Sequence, residues 1–475
     1  MIRKTKIVAT IGPASSSKEK LTELIRAGLN VCRINFSHGS HEVHLEAVRN
    51  IRAVSDELKI PVAILGDLQG PKLRVGMLPE EGLDLIEGEE LCFTTKPNKM
   101  GDKQNLYISY SSFAKDVKPG EKILLDDGKL ELEAGESDGD ARVKAKVIHG
   151  GILKSKKGVN LPNTKISLPS LTEKDLVDLE FALEHDFDWI GLSFVRSARD
   201  IIELKHKISE RNKFSRVVAK IEKPEALKEL EGIIDETDAV MVARGDLGVE
   251  IPMEEVPLIQ KDIIKQCREA AKPVIVATQM MESMIENVTP TRAEVNDVAN
   301  AVMDGSDAVM LSAETSVGKY PVETVNAMRK ILVKTEAFEG IFHHETAPGD
   351  FGGDRFISDS ICYNACRLAQ RVNAIGVVAM THSGYTAVKL SSQRPKSTVF
   401  VFTGNKRLIT ALSLVWGVEC FYYDKYVSTD HTIADIKYIL KREGKIKNGD
   451  YLINIASMPI SEKGTSNMIK LSQVD

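Results

Sequence analysis

Residues 240–252 read VMVARGDLGVEIP. Val240 to Ala243 have the character of a buried strand, and Arg244, Gly245, Asp246 and Gly248 follow with no proline before them. Glycine permits close backbone approach and unusual dihedrals. A carboxylate set between two glycines at the end of an apolar strand therefore predicts a ligand in front of Asp246. Other apolar runs end in the same manner. Strand side chains alternate between faces, so Lys220 and Glu222 share a face in RVVAKIEK, and Arg33, Asn35 and Ser37 share one in VCRINFS. The same spacing groups Val274, Val276 and Thr278 in PVIVATQ, and Ser312 with Glu314 in VMLSAET. Such polar sets are expected to point into a common mouth, because burying unpaired charge against helices is costly.

The residue types point to chemistry on an anion. Glu222 and Asp246 come from adjacent runs, and two hard oxygen donors with room for water suit Mg²⁺ or Mn²⁺. Lys220 and Arg33 suit a phosphoryl group and a developing oxyanion. The segment after Gly245 can open a short helix whose N–H groups favour a carboxylate or phosphate. A small, multiply anionic substrate fits all of these. Each residue also has a duller reading. Lys220 with Glu222 fits a structural ion pair, Asp246 a helix cap, Arg33 and Arg74 surface charges, and His38 a satisfied polar group. The loop THSGYT fits an ordinary turn with an N-cap.

Eight apolar runs can carry these ends: 6–11, 30–39, 61–70, 188–197, 216–223, 238–246, 273–280 and 307–315. Amphipathic stretches such as KEKLTELIRAGL and PLIQKDIIKQCREAA separate most of them. Strand–helix alternation implies a parallel sheet, and eight units favour a closed (β/α)8 barrel over an open doubly wound sheet, with its site at the C-terminal strand ends. One gap interrupts the alternation. Residues 71–168 are rich in Gly, Asp and Lys and carry short alternating stretches such as EKILLDDGKLELEA, whose DDG is a hairpin signal. This reads as an inserted β-barrel lid domain that leaves the barrel at its catalytic face. The chain returns at LPSLTEKD, where Thr172 and Asp175 form a capping-box pattern. The catalytic barrel then comprises 1–70 and 169–345, and 346–475 reads as a smaller α/β domain with strands at AIGVVAM, VFVFTG and DYLINIAS.

Composition sets the remaining bounds. The 475 residues are 43% hydrophobic and 28% charged, which describes a soluble globular chain of several domains. A formal net charge of -5 gives no hint of attraction to nucleic acid or membrane over the whole surface. There is no secretory h-region and no run long enough to span a bilayer. The six cysteines lack C-x-x-C or zinc spacing, so reduced thiols in a cytoplasm are expected.

Taken in order, TKIVATIGPAS, CRINFSHG, KKGVNLP, AKIEKPE, MVARGDLGVEIP, ATQMMESM and MLSAETSVGKYP closely resemble the pyruvate kinase family along essentially the whole chain. With no extra N-terminal segment, the chain looks like the bacterial form. The resemblance implies phosphoryl transfer from phosphoenolpyruvate to ADP, giving pyruvate and ATP. It implies that Glu222 and Asp246 hold the divalent ion and that Lys220 stabilises the transferring phosphoryl and the enolate. Arg33 matches a phosphoryl contact. Thr278, with the amides of Gly245 and Asp246, matches the groups that position the substrate carboxylate, and Ser312 and Glu314 match a proton-delivery network. Asn35, His38, Arg74, Lys157 and Asn160 match the nucleotide side, and Asp127 the lid. The resemblance also implies a homotetramer.

The chain departs from the family pattern in places. Val43 stands where many members have an aromatic residue near the nucleotide. THSGYTA matches a loop that cradles an effector phosphate through Thr381, Ser383 and Thr386, but Tyr385 replaces a frequent arginine and His382 takes a variable position. Asn35, Ser37 and Asp67 match side-chain ligands of a K⁺ ion, while Leu68, Gln69 and Lys72 follow the lysine-bearing subgroup. A tethered ammonium can supply the charge that K⁺ supplies elsewhere, so activity without K⁺ is expected. The rival readings are a divalent-metal-dependent carbon–carbon lyase acting through a pyruvate enolate, and a non-catalytic binding protein on an enzyme scaffold.

Overall fold

In the computed structural model, residues 3–349, 353, 355–425, 428–458 and 465–475 are described. Eight parallel strands close into a barrel: Lys6–Thr10, Val31–Asn35, Ala63–Asp67, Trp189–Leu192, Arg216–Ile221, Ala239–Ala243, Val274–Ala277 and Ala308–Leu311. All eight expected runs are present, and closure pairs Lys6 with Ala308. Inward residues Val8, Val31, Leu65, Trp189, Val218, Met241, Ile275 and Met310 fill the centre as one cluster. Leu414, from the C-terminal part of the chain, joins that cluster. The outward residues, Ile7, Ile34, Val217, Val240, Val276 and Leu311 among them, pack with the apolar faces of the surrounding helices. The interior is thus a packed core, and polar side chains can gather only at its rim.

One helix begins where its local sequence predicts. Thr172 and Asp175 form the expected capping box at the start of helix Glu173–Glu184. The Asp175 carboxylate also accepts the Gly70 N–H (3.0 Å), which ties the chain leaving the barrel to the chain returning to it.

Between the third and fourth barrel strands, the chain builds a six-stranded sheet and a separate two-stranded sheet. Asp126, Asp127 and Gly128 all take positive φ in the turn between strands Lys122–Leu125 and Leu130–Ser137. The six strands do not form a continuous ring. Segment 73–76 joins the two edges through isolated bridges, Arg74 with Gly158 and Val75 with Ile108. A separate apolar core, from Leu73 to Leu161, lies inside.

The C-terminal part has a five-stranded sheet. It holds the three expected strands, Gly376–Met380, Thr398–Thr403 and Tyr451–Ala456, and two unexpected edge strands, Val418–Tyr422 and Met468–Gln473. No described helix is long and apolar enough to cross a membrane.

Candidate active site

The fifth barrel strand, Arg216–Ile221, points Lys220 toward the axis. Its ammonium lies 2.9 Å from Glu222 Oε1 and 3.1 Å from Asp67 Oδ1, and it donates to Ser193 Oγ at 2.7 Å. Asp67, at the end of the third strand, also receives Arg33 at 2.6 Å. The two carboxylates are almost fully buried, and both cations are close to it. Burial opposes the charged form of Lys220, but Asp67 and Glu222 outweigh it, so its pKa is raised. Burial likewise works against ionised Asp67, yet Lys220 and Arg33 hold its pKa below the ordinary carboxylate value. Burial pushes Glu222 up, Lys220 pulls it down, and Asp246 adds a second upward push from a like charge; the net direction is up.

These groups share one cavity of about 160 Å³, lined also by Asn35, Ser37, His38, Leu68, Gln69, Lys72, Arg74, Ser193, Phe194 and Asp246. Arg33, Lys72, Arg74 and Lys220 face Asp67, Glu222 and Asp246 there. Lys72 turns toward the site, with Nζ 3.7 Å from Asp246 Oδ1. Asn35 accepts the Ser37 N–H (3.1 Å). Among the described residues, no cluster of three or more His, Cys, Asp or Glu could hold a metal. The donor set is therefore two carboxylates whose charges repel. That fits a divalent ion of the Mg²⁺ kind, which completes its shell with water and substrate oxygens.

Asp246 lies in helix Arg244–Glu250, which starts directly after strand Ala239–Ala243. Gly245 and Gly248 adopt ordinary helical dihedrals, so the expectation of unusual backbone there is corrected. A Cβ on Gly245 would stand in ordinary contact with Thr278 Oγ1, at 3.4 Å, so packing within the chain does not demand the glycine either; the Gly245 N–H donates to that oxygen at 2.8 Å. Thr278 also corrects the alternation argument. Val274 and Val276 face the helices, so a continued strand would carry Thr278 outward. The chain instead turns, with positive φ at Thr278 and Gln279. Arg244 supports the turn by donating to the Thr278 carbonyl (2.6 Å) and pairing with Asp297.

The remaining residues divide. Glu314 is buried and accepts N–H groups of Ser312 (2.7 Å) and Met281 (3.3 Å), and burial raises its pKa against those bonds. Thr278, Ser312 and Glu314 do not line the 160 Å³ cavity. Asp127 lines a larger cleft of about 1140 Å³ between the insertion and the barrel. Lys157 pairs with Asp126 (2.7 Å) and lines none of these cavities. Asn160 donates to Glu250 Oε1 at 2.7 Å. Two residues escaped the sequence reading. Ser193 bridges Lys220 and the Leu68 carbonyl, and the Phe194 N–H donates to Glu222 Oε2 (2.7 Å). Alternation from inward Trp189 would have found Ser193; nothing in the sequence signals the positive φ of Phe194.

In the C-terminal loop, Thr381 Oγ1 accepts the Gly384 N–H (3.0 Å), and Thr386 Oγ1 lies 3.2 Å from Ser466 Oγ. The Ser383 carbonyl accepts from Arg216 (2.7 Å). Tyr385 donates to Asp359 (2.5 Å), and Arg355 lies over its ring at 4.0 Å, so a cation still stands beside the loop.

The family models for the pyruvate kinase barrel domain and the pyruvate kinase alpha/beta domain match residues 2–325 and 359–472. The chain is 42% identical over 474 residues to a pyruvate kinase of Geobacillus stearothermophilus, covering 99% of this chain and 80% of that one. It is 42% identical over 477 residues to a pyruvate kinase of Staphylococcus aureus, covering 100% and 81%. A crystal structure of a pyruvate kinase from Cryptosporidium parvum superimposes with a TM-score of 0.92 at 35% identity, covering 100% of this chain and 96% of that one. The barrel, its C-terminal companion and these full-length matches agree: the chain belongs to the pyruvate kinase family.

Proposed function

We propose that the pyruvate kinase reaction, transfer of the phosphoryl group of phosphoenolpyruvate to ADP, runs at the cavity bounded by Lys220, Arg33, Glu222 and Asp246. The observation that carries this reading is the shared placement of four cationic and three carboxylate side chains around one small cavity. Glu222 and Asp246 would hold Mg²⁺ or Mn²⁺, which supplies charge compensation for substrate oxygens. Phosphoryl transfer asks mainly for positioning and electrostatic stabilisation. Lys220, held by Asp67, Glu222 and Ser193, presents a fixed ammonium to the transferring group and to the enolate oxygen. Arg33, fixed by Asp67, contacts the phosphoryl. The Gly245 and Asp246 N–H groups and the Thr278 hydroxyl receive the substrate carboxylate, so the Gly245–Thr278 bond exchanges on binding. The enolate carbon then needs a proton, and Ser312 with the buried Glu314 lies on the path proposed for it.

Asn35, His38, Arg74, Asp127, Lys157 and Asn160 form the proposed nucleotide side, below and within the insertion. The Lys72 ammonium beside Asp246 supports K⁺-independent activity, in a cavity it shares with Asn35, Ser37, Asp67 and Leu68. Thr381, Ser383 and Thr386 are the proposed cradle for a phosphorylated effector. Division at 70/71 and 168/169 is supported by the separate apolar core of the insertion, and division at 345/346 by the separate cluster from Cys362 to Ile455. The homotetramer and a cytoplasmic location rest on the resemblance. The family match leaves the lyase reading without support. Pyruvate release from phosphoenolpyruvate, measured with and without ADP, tests the reaction. Strict dependence on ADP is expected, and ADP-independent release would reject phosphoryl transfer.

A further inference from the structure

We infer that Glu250 is a positioning residue that docks the insertion on the barrel and orients Asn160 toward the nucleotide. The inference rests on the proposed nucleotide-side role of Asn160. Glu250 ends helix Arg244–Glu250, the helix that carries Asp246, and is 5% exposed. Its Oε1 takes two donors: Lys223 Nζ at 2.5 Å and Asn160 Nδ2 at 2.7 Å. Lys223 is itself buried and follows Glu222 in the chain. Glu250 Oε2 is buried and has no hydrogen-bond partner among the described residues. A barrel ion pair is thus extended by one bond into the insertion. Away from the two connecting segments, this is the one side-chain hydrogen bond between insertion and barrel among the described residues.

The chemistry of the pair sets the direction of the Asn160 amide. An ionised carboxylate accepts and cannot donate, so the NH₂ end must face Glu250. The carbonyl oxygen and the second amide N–H are then what Asn160 offers elsewhere. The carbonyl can receive a hydroxyl or amino group of a nucleotide, and the remaining N–H can donate to an acceptor there. Asn160 also lines a small cavity with Lys72, Lys223 and Asp246, so this amide sits at the seam between the insertion and the metal-side carboxylates. Lys223 supplies the counter-charge to Glu250 in a place where a lone buried carboxylate would be costly. A neutral Gln at 250 could donate or accept, and the amide of Asn160 would lose its fixed direction.

The test is a mutant cycle on the full chain, read through the two substrates separately. Glu250→Ala alone would strand a buried ammonium, so Lys223→Met/Glu250→Leu removes the pair together and keeps its volume. Asn160→Ala removes the other end. Each variant and their combination are measured for KM of ADP at saturating phosphoenolpyruvate, KM of phosphoenolpyruvate at saturating ADP, and Tm. Loss of one charge-assisted bond predicts about a tenfold rise in KM for ADP. The rise should appear with Asn160→Ala and with the Lys223/Glu250 variant, while KM for phosphoenolpyruvate moves less than about twofold. The combined variant should be no worse than the poorer parent, because both act through one bond. Glu250→Gln, which disturbs the pair least, should show a smaller rise of the same kind. If Asn160→Ala raises KM for ADP but the Lys223/Glu250 variant does not, or the two effects multiply, the Glu250 inference is overturned and the Asn160 role stands. If Asn160→Ala leaves KM for ADP unchanged, both fall. Equal rises in both substrate KM values would mark a general structural defect and reject the inference.

Discussion

Replacing Lys220 by Met removes one charge and nearly preserves length, and the structure predicts two separable consequences. The first concerns stability. The Lys220 side chain is 11% exposed, and its ammonium lies within 3.1 Å of the carboxylates of two side chains that are each 1% exposed. At such distances, the gross attraction per pair is about 5 kcal/mol with an effective dielectric near 20. Most of this is offset by desolvation, and breaking a buried pair by deleting one partner costs about 3–5 kcal/mol. Asp67 keeps Arg33 after the change, while Glu222 keeps only the Phe194 N–H. The lower figure of about 3 kcal/mol is therefore expected, a Tm loss of roughly 6–12 °C for a barrel-sized unit. Divalent cations should restore more Tm to Lys220→Met than to the unmodified enzyme, because Glu222 then lacks its internal counter-charge.

The second consequence concerns rate. A charge that acts as the phosphoryl moves should affect kcat more than ground-state binding. Loss of a fixed electrostatic contact at a reacting oxygen costs about 100- to 1,000-fold in kcat. Pyruvate formation coupled to an NADH-linked readout gives kcat and KM, and thermal unfolding with and without Mg²⁺ gives the stability arm. An unchanged kcat with only a raised KM for phosphoenolpyruvate would refute the proposed role of Lys220. An unchanged Tm would refute the buried ion-pair network.

Two further outcomes follow from other parts of the structure. With the Lys72 ammonium beside Asp246, activity should persist in K⁺-free, NH₄⁺-free buffer made with tetramethylammonium salts, and added K⁺ should stimulate it little. Lys72→Glu should lower activity there and regain part of it with K⁺; strong K⁺ activation of the unmodified enzyme contradicts the assignment. At subsaturating phosphoenolpyruvate, a sugar phosphate or AMP should activate through Thr381, Ser383 and Thr386, and Thr386→Val should abolish the response. No response to any phosphorylated metabolite leaves that loop a structural turn.

Period-two alternation was enough to place Lys220 with Glu222 and Arg33 on the inner face, because those residues lie within or next to regular strands. It failed at Thr278, where two left-handed residues redirect the chain after strand Val274–Ala277. Such a turn depends on Arg244 and Asp297 from elsewhere in the fold, which no local pattern reports. The edge strands Val418–Tyr422 and Met468–Gln473 were missed for a related reason. Their half-exposed, mixed residues lack the continuous apolar run that marks a buried parallel strand. Ser193 could have been found by counting from Trp189, whereas the Asn160–Glu250 bond spans 90 positions and depends on how the insertion docks.

The central claim is that Glu222 and Asp246 are the charged ligands of the activating divalent ion. Mn²⁺ binding, followed by electron paramagnetic resonance with phosphoenolpyruvate present, tests it without reliance on turnover. Asp246→Asn keeps the size of a helical side chain that is one-third exposed, so Tm should stay within a few degrees. The account predicts that this variant binds Mn²⁺ at least about tenfold more weakly than the unmodified enzyme, because one of two anionic ligands has lost its charge. A folded Asp246→Asn protein that binds Mn²⁺ with undiminished affinity would contradict it.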